Sequence, residues 1–224
     1  MGSEYNQFIP GICTGLFSSF IFNPIDKAIF IATTKNCKIY DKSIWKGMFD
    51  GLSITIASRL ITSGLYFSFL DFYASSGKNN LEISFLTAVS CSVINPLHIV
   101  KFNSWYNNFS LGTAYKSITK TYGFKGLFIG ITPLILRDTL FNYTYLSLKK
   151  DNDEFRNISA IFASLIIVSP LNLIKNKKYA SNEDLRSIMR NFKFSQLGIS
   201  FSLVRTGVSF YLSNYIYTNI KSLL

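Results

Sequence analysis

Three arginines stand inside apolar runs of this chain: Arg59, Arg137 and Arg205. A guanidinium is permanently charged and forks onto carboxylate or phosphate, so three of them in a water-poor setting point to anion binding. Asp138 follows Arg137 directly, which adds an acceptor for an ammonium group. Further charged and polar groups lie after three prolines: Asp26 near Pro24, His98 and Lys101 near Pro96, Asn172 and Lys175 near Pro170. Enzyme chemistry is not indicated, because one histidine, scattered cysteines and no carboxylates paired at helical spacing leave no catalytic constellation and no metal or cofactor site.

The elements that must position these groups repeat. Pro24, Pro96 and Pro170 are spaced by 72 and then 74 residues, and the arginines follow them by 35, 41 and 35. A fixed period is the mark of a repeat architecture. The middle unit is the clearest. Ile83–Val100 carries no acidic, lysine or arginine side chain and is long enough to cross a bilayer as one helix kinked at Pro96. A basic loop follows, then Gly123-Phe124-Lys125-Gly126, then a second apolar run, Ile131–Leu148, broken only by Arg137 and Asp138.

The other units read alike. Helix one is expected over Phe8–Thr34, with Gly11 and Gly15 at the four-residue spacing that lets helices approach closely in lipid. The polar stretch Lys35–Phe49 is expected to lie on a membrane surface as an amphipathic piece. Helix two, Gly51–Tyr73, puts Thr55, Arg59, Ser63 and Tyr66 on one face, as Pro133, Arg137, Phe141 and Thr144 share a face in the middle unit. Helices five and six are expected over Asn157–Lys175 and Gly198–Ile220, the latter with Ser202, Arg205, Ser209 and Ser213 in one stripe. Such a stripe faces water or protein, since lipid would leave it unsatisfied. The fold class is therefore all-α membrane protein: six transmembrane helices in three tandem helix-loop-helix repeats, about 8–78, 79–153 and 154–224, in one domain with pseudo-threefold symmetry.

Composition agrees. The chain is 48% apolar and 16% aromatic, yet its net charge is +11, so long uncharged runs coexist with basic loops. Three odd cysteines, Cys13, Cys37 and Cys91, argue against a disulfide framework, and neither a secretory leader nor a myristoylation signal is expected. Basic residues concentrate in 35–49, 101–127 and 175–193, which puts those loops in one compartment and both termini in the other. The bases segregate by loop and form no stripe beside aromatics, so a nucleic-acid partner is not indicated.

These features resemble the mitochondrial carrier family, whose signature is Pro-x-Asp/Glu-x-x-Lys/Arg after each odd helix, followed by a glycine and an aromatic-basic-Gly turn. The resemblance runs from about Phe8 to Lys221 and is best over Gly123–Arg137. It implies a monomeric antiporter, multi-pass in the mitochondrial inner membrane, with cardiolipin as a candidate lipid partner. It implies a matrix gate whose carboxylate slots hold Asp26, His98 and Asn172 and whose base slots hold Ile29, Lys101 and Lys175. Only Asp26 with Lys101 is an expected ion pair; His98 with Lys175 is at best a hydrogen bond, and Asn172 faces Ile29. One such pair is worth about 0–1 kcal/mol when exposed, so an easily opened gate is expected. The family's bracing glutamine is replaced by Thr33, Trp105 and Tyr179. The outer gate is eroded to Asp71, Lys150, Asp153 and Lys221.

For substrate, the resemblance points to Ser58 or Arg59, to Arg137-Asp138 and to Arg205. Two signals compete. Arg137-Asp138 resembles the pair found in carriers of amino acids and related zwitterions, whereas three cations suit a di- or triphosphate, with Tyr66, Phe141, Tyr145 and Tyr211 as rings for a base. A short chain rich in Asn, Lys, Ile, Phe and Tyr is also similar to the reduced carriers of giant DNA viruses and intracellular parasites, which favours nucleotides or deoxynucleotides and a host mitochondrion. An amino-acid or S-adenosylmethionine-like substrate, and a non-transporting relic acting as a membrane interaction protein, are the alternatives.

Overall fold

The computed structural model describes residues 2–150, 153–192 and 198–223, with side chains described outside 2–15, 63, 64, 67, 68, 71, 154, 210, 213, 214 and 216–223. Among the described residues there are nine α-helices, short 3-10 turns and no strand. They are α1 (Gly2–Lys35), α2 (Leu52–Ala74), α3 (Asn80–Cys91), α4 (Asn95–Asn107), α5 (Leu111–Tyr122), α6 (Ile131–Leu148), α7 (Glu154–Ser181), α8 (Leu185–Arg190) and α9 (Ile199–Leu223). Among the described residues, three segments are long and apolar enough to cross a membrane: Leu16–Lys35, Asn80–Asn107 and Phe155–Ser181. The packing of Gly11 and Gly15 and the side chains of Ser63, Asp71, Ser213 and Lys221 lie outside the described residues.

The prolines act differently in the three places. Pro96 sits in the first turn of α4 behind a 3-10 turn at Ser92–Ile94, where its missing N–H costs nothing. Pro24 and Pro170 lie inside the continuous helices α1 and α7. Twelve residues after each proline the chain takes the left-handed conformation at an asparagine: Asn36, Asn108 and Asn182, with φ of 53°, 54° and 51°. Asparagine tolerates that region and so ends a helix.

The long helices pack in chain order and close on themselves. α1 lies against α2, α2 against α3, α3 against α6, α6 against α7, α7 against α9, and α9 back against α1. One end of this circuit is bound by three like contacts. Gly51, Gly130 and Gly198, all with positive φ, precede α2, α6 and α9, and each is covered by a residue nine places after Pro96, Pro170 and Pro24 respectively. A Cβ at Gly51 would stand 3.0 Å from Nε1 of Trp105, at Gly130 2.8 Å from Cε1 of Tyr179, and at Gly198 2.8 Å from Cγ2 of Thr33. The asparagine before a proline ties down the same turns. Asn23 Nδ2 donates to the Met48 carbonyl at 3.1 Å, and Asn95 Nδ2 to those of Leu127 at 2.9 Å and Ile129 at 3.3 Å. Before Pro170 the residue is Ser169, which donates within its own helix, to Ile166 O.

Many polar side chains are buried and many large apolar ones exposed. Lys27, Lys101, Lys175, Asn23, Asn95, Thr87 and Ser84 are buried, while Phe17, Phe20, Phe85, Val93, Ile166, Ile167, Val204 and Val208 are exposed. A broad exposed apolar surface marks contact with lipid or protein. Apolar clusters gather instead near the glycine contacts, around Phe30, Ile31, Ile44 and Trp105, and around Ile99, Ile118, Leu127 and Tyr179.

Two boundary expectations are corrected. Lys101 and Lys175 do not begin loops: α4 runs on to Asn107 and α7 to Ser181, so both lysines, with Lys177, are buried in helix. The left-handed asparagines, rather than the first charged residue, stop these helices. The stretch 35–49 holds only a 3-10 turn, Lys42–Trp45, because Lys27 reaches out of α1 to gather the following loop: its Nζ donates to the carbonyls of Lys46 (3.1 Å) and Gly47 (2.7 Å) and to Asp50 Oδ2 (3.0 Å).

Candidate functional site

Asp26 on α1 is the first fixed point of the polar interior. Its Oδ1 accepts from Arg205 Nε at 2.8 Å, and its Oδ2 from Arg205 Nη2 at 3.0 Å and from Arg59 Nη2 at 2.8 Å. Arg59 also donates from Nη1 to Ser18 Oγ at 3.0 Å, and the Arg205 guanidinium lies 5.0 Å from the Phe22 ring centre. Arginines from α2 and α9 thus meet on one carboxylate of α1. This corrects the expected partner of Asp26: among the described residues it makes no ion pair with Lys101. A bidentate guanidinium matches both carboxylate oxygens, which a point-like ammonium cannot do.

Lys101 instead lies over rings, its Nζ 4.5 Å from the Trp105 centre and 5.0 Å from that of Phe102. Lys175 does likewise, 5.7 Å from Phe102 and 5.8 Å from Tyr179. Both lysines are only 7% exposed. His98 stacks on Phe102 at 6.3 Å and, among the described residues, makes no hydrogen bond with Lys175. Asn172 borders a small cleft with Arg137 and Ser202, and Ile29 borders another with Thr33 and Gly198.

The second fixed point is on α6. Arg137 Nη1 lies 2.8 Å from Asp138 Oδ1, and the pair lines a cavity of about 430 Å³ with Tyr66, Thr87, His98, Phe141, Asn142, Tyr145 and Lys175. The Tyr66 hydroxyl donates to Asn142 Oδ1 at 3.2 Å, which ties α2 to α6 across one wall. Arg137 Nε and the Thr87 hydroxyl are buried with no hydrogen-bond partner among the described residues. Ser58 is buried and its hydroxyl turns back to Thr55 O at 3.0 Å. At the other end, Asp153 caps α7 by accepting from Arg156 N at 3.0 Å, and exposed Lys150 donates its backbone N–H to Asn157 Oδ1 at 3.0 Å. Neither forms an ion pair with the other among the described residues.

These groups form one electrostatic unit, since Lys101 lies within interaction range of Asp26, Arg59, Arg205 and Lys175, and Lys175 within that of Arg137 and Asp138. Three arginines and two lysines face two carboxylates there, a formal excess of three positive charges with both lysines protonated. Uncompensated charge away from water is costly, so the arrangement calls for an anion. Thr87, Asn142 and the two anchoring asparagines escaped sequence reasoning, as did Lys27. The left-handed asparagines escaped it too, although their recurrence twelve residues past each proline is a signal that could have found them. No family model matches the chain.

Proposed function

We propose that this chain is a membrane transporter of the mitochondrial carrier type, built as six spans in three repeats about a pseudo-threefold axis, which counter-exchanges anionic metabolites. Nucleotides and deoxynucleotides (ADP, ATP, dATP) are the favoured cargo. The observation that carries this reading is the formal excess of five buried or half-buried basic side chains over two carboxylates among α1, α2, α4, α6, α7 and α9. The recurrent covering of Gly51, Gly130 and Gly198 by Trp105, Tyr179 and Thr33 supports the threefold arrangement. Tyrosine and phenylalanine walls of the cavity suit a base. The mitochondrial inner membrane, both termini on one side, a monomer and cardiolipin as lipid partner belong to the same proposal.

A second reading, a carrier for an amino acid or S-adenosylmethionine-like zwitterion, draws on Asp138, which lines the cavity beside Arg137. Reconstitution into liposomes preloaded with ATP, followed by uptake of labelled ATP, dATP or amino acids, separates the two. The proposal expects nucleotide exchange that Arg205→Ala abolishes. Uptake of zwitterions alone selects the second reading, and a folded protein that moves no solute is the non-transporting relic.

A further inference from the structure

We infer that Lys175, Arg137, His98 and Thr87 form the subsite for a phosphoryl group, distinct from the arginine pair on Asp26. The inference rests on the transporter reading and deepens it by saying which cations meet the cargo. Arg59 and Arg205 already hold a carboxylate, with both oxygens of Asp26 engaged. A cargo anion reaching them has to displace it.

The cavity on the other side of the charge balance holds one carboxylate, Asp138, and it engages Arg137 through a single contact, Nη1 to Oδ1 at 2.8 Å. Lys175 borders it, is 7% exposed and, among the described residues, meets ring faces and no carboxylate at ion-pair distance. Arg137 has one bond to Asp138 and a buried Nε without a partner; Thr87, fully buried, has a hydroxyl without one. His98 completes the set. These four side chains come from α7, α6, α3 and α4, so the site is assembled by the fold and not by one helix terminus.

Lysine and arginine donate and never accept, so the complement is an acceptor-only group. A carboxylate offers two oxygens and one negative charge. A phosphoryl group offers three oxygens and about −1.5 to −2 charge at neutral pH, which matches donors converging from four helices better. A cavity of about 430 Å³ has room for more than the phosphoryl end.

Pyrophosphate, adenosine and succinate, each titrated onto the purified full chain in detergent, test this by binding and by melting temperature. Pyrophosphate is expected to bind and stabilise, adenosine and succinate to do so weakly or not at all. Lys175→Gln and Thr87→Val should each weaken pyrophosphate about tenfold or more, the loss expected for a hydrogen bond to a charged group. Thr87→Val should leave the unliganded melting temperature unchanged or raise it, because the lost hydroxyl had no protein partner, so a purely structural role is told apart. Nucleotide exchange by the parent protein, with both variants binding pyrophosphate as it does, overturns the subsite and leaves the transporter reading standing. Tighter binding of succinate than pyrophosphate overturns the phosphoryl assignment. A parent protein that binds none of the probes and exchanges no anion overturns both.

Discussion

If Asp26 is the shared counter-ion of two arginines, a double-mutant cycle should find strong coupling to Arg205, weaker coupling to Arg59 and none to Lys101. Arg205 places two charge-assisted hydrogen bonds on the carboxylate, at 2.8 and 3.0 Å, and Arg59 places one at 2.8 Å. A hydrogen bond to a charged group contributes roughly 1.5–3 kcal/mol, and all three side chains are about a quarter exposed, so solvent reduces this. Working from those values, Asp26–Arg205 coupling should be about 2–3 kcal/mol and Asp26–Arg59 coupling about 1 kcal/mol. Asp26→Asn alone leaves two guanidiniums without their anion and should cost about 3 kcal/mol. For a chain of this size that is a fall of about 6–12 °C in melting temperature. Detergent-purified single and double variants, melted without added anions, provide the assay. Arg205→Gln should cost much less in the Asp26→Asn background than in the parent. Equal cost in the two backgrounds, or coupling found with Lys101→Gln instead, refutes the assignment.

Other outcomes follow from particular contacts. Gly130→Ala puts a Cβ at 2.8 Å from Tyr179 in a left-handed residue and should cost about 1–3 kcal/mol in an unfolding titration. Asn108→Gly should be neutral within a few tenths of a kcal/mol, whereas Asn108→Val should cost about 1–2 kcal/mol, since only the latter resists the left-handed region. Lys27→Met strands the Lys46 and Gly47 carbonyls, so limited proteolysis should cut the 42–50 loop several-fold faster. In sealed vesicles, cysteines introduced at Lys78 and Lys120 in a cysteine-free background should react with an impermeant reagent from opposite faces; labelling from one face contradicts the proposed orientation.

The amino-acid sequence by itself determined where helices form and where charge interrupts them. Uncharged runs of bilayer length, prolines 72 and 74 residues apart and arginines at like offsets are local or periodic features, and a 3.6-residue repeat assigns each side chain to a face. It also held the helix stops, since Asn36, Asn108 and Asn182 keep one spacing from their prolines. Partner choice was settled only by tertiary structure. Asp26 lies 33 residues from Arg59, 179 from Arg205 and 75 from Lys101, and no periodicity ranks these. The ranking depends on the rotation and height of α1, α2, α4 and α9 against one another, which packing of Thr33, Trp105 and Tyr179 onto three glycines decides. That packing brings two arginines onto one carboxylate and leaves Lys101 and Lys175 among rings, because close backbone approach is possible only where a glycine lacks its Cβ.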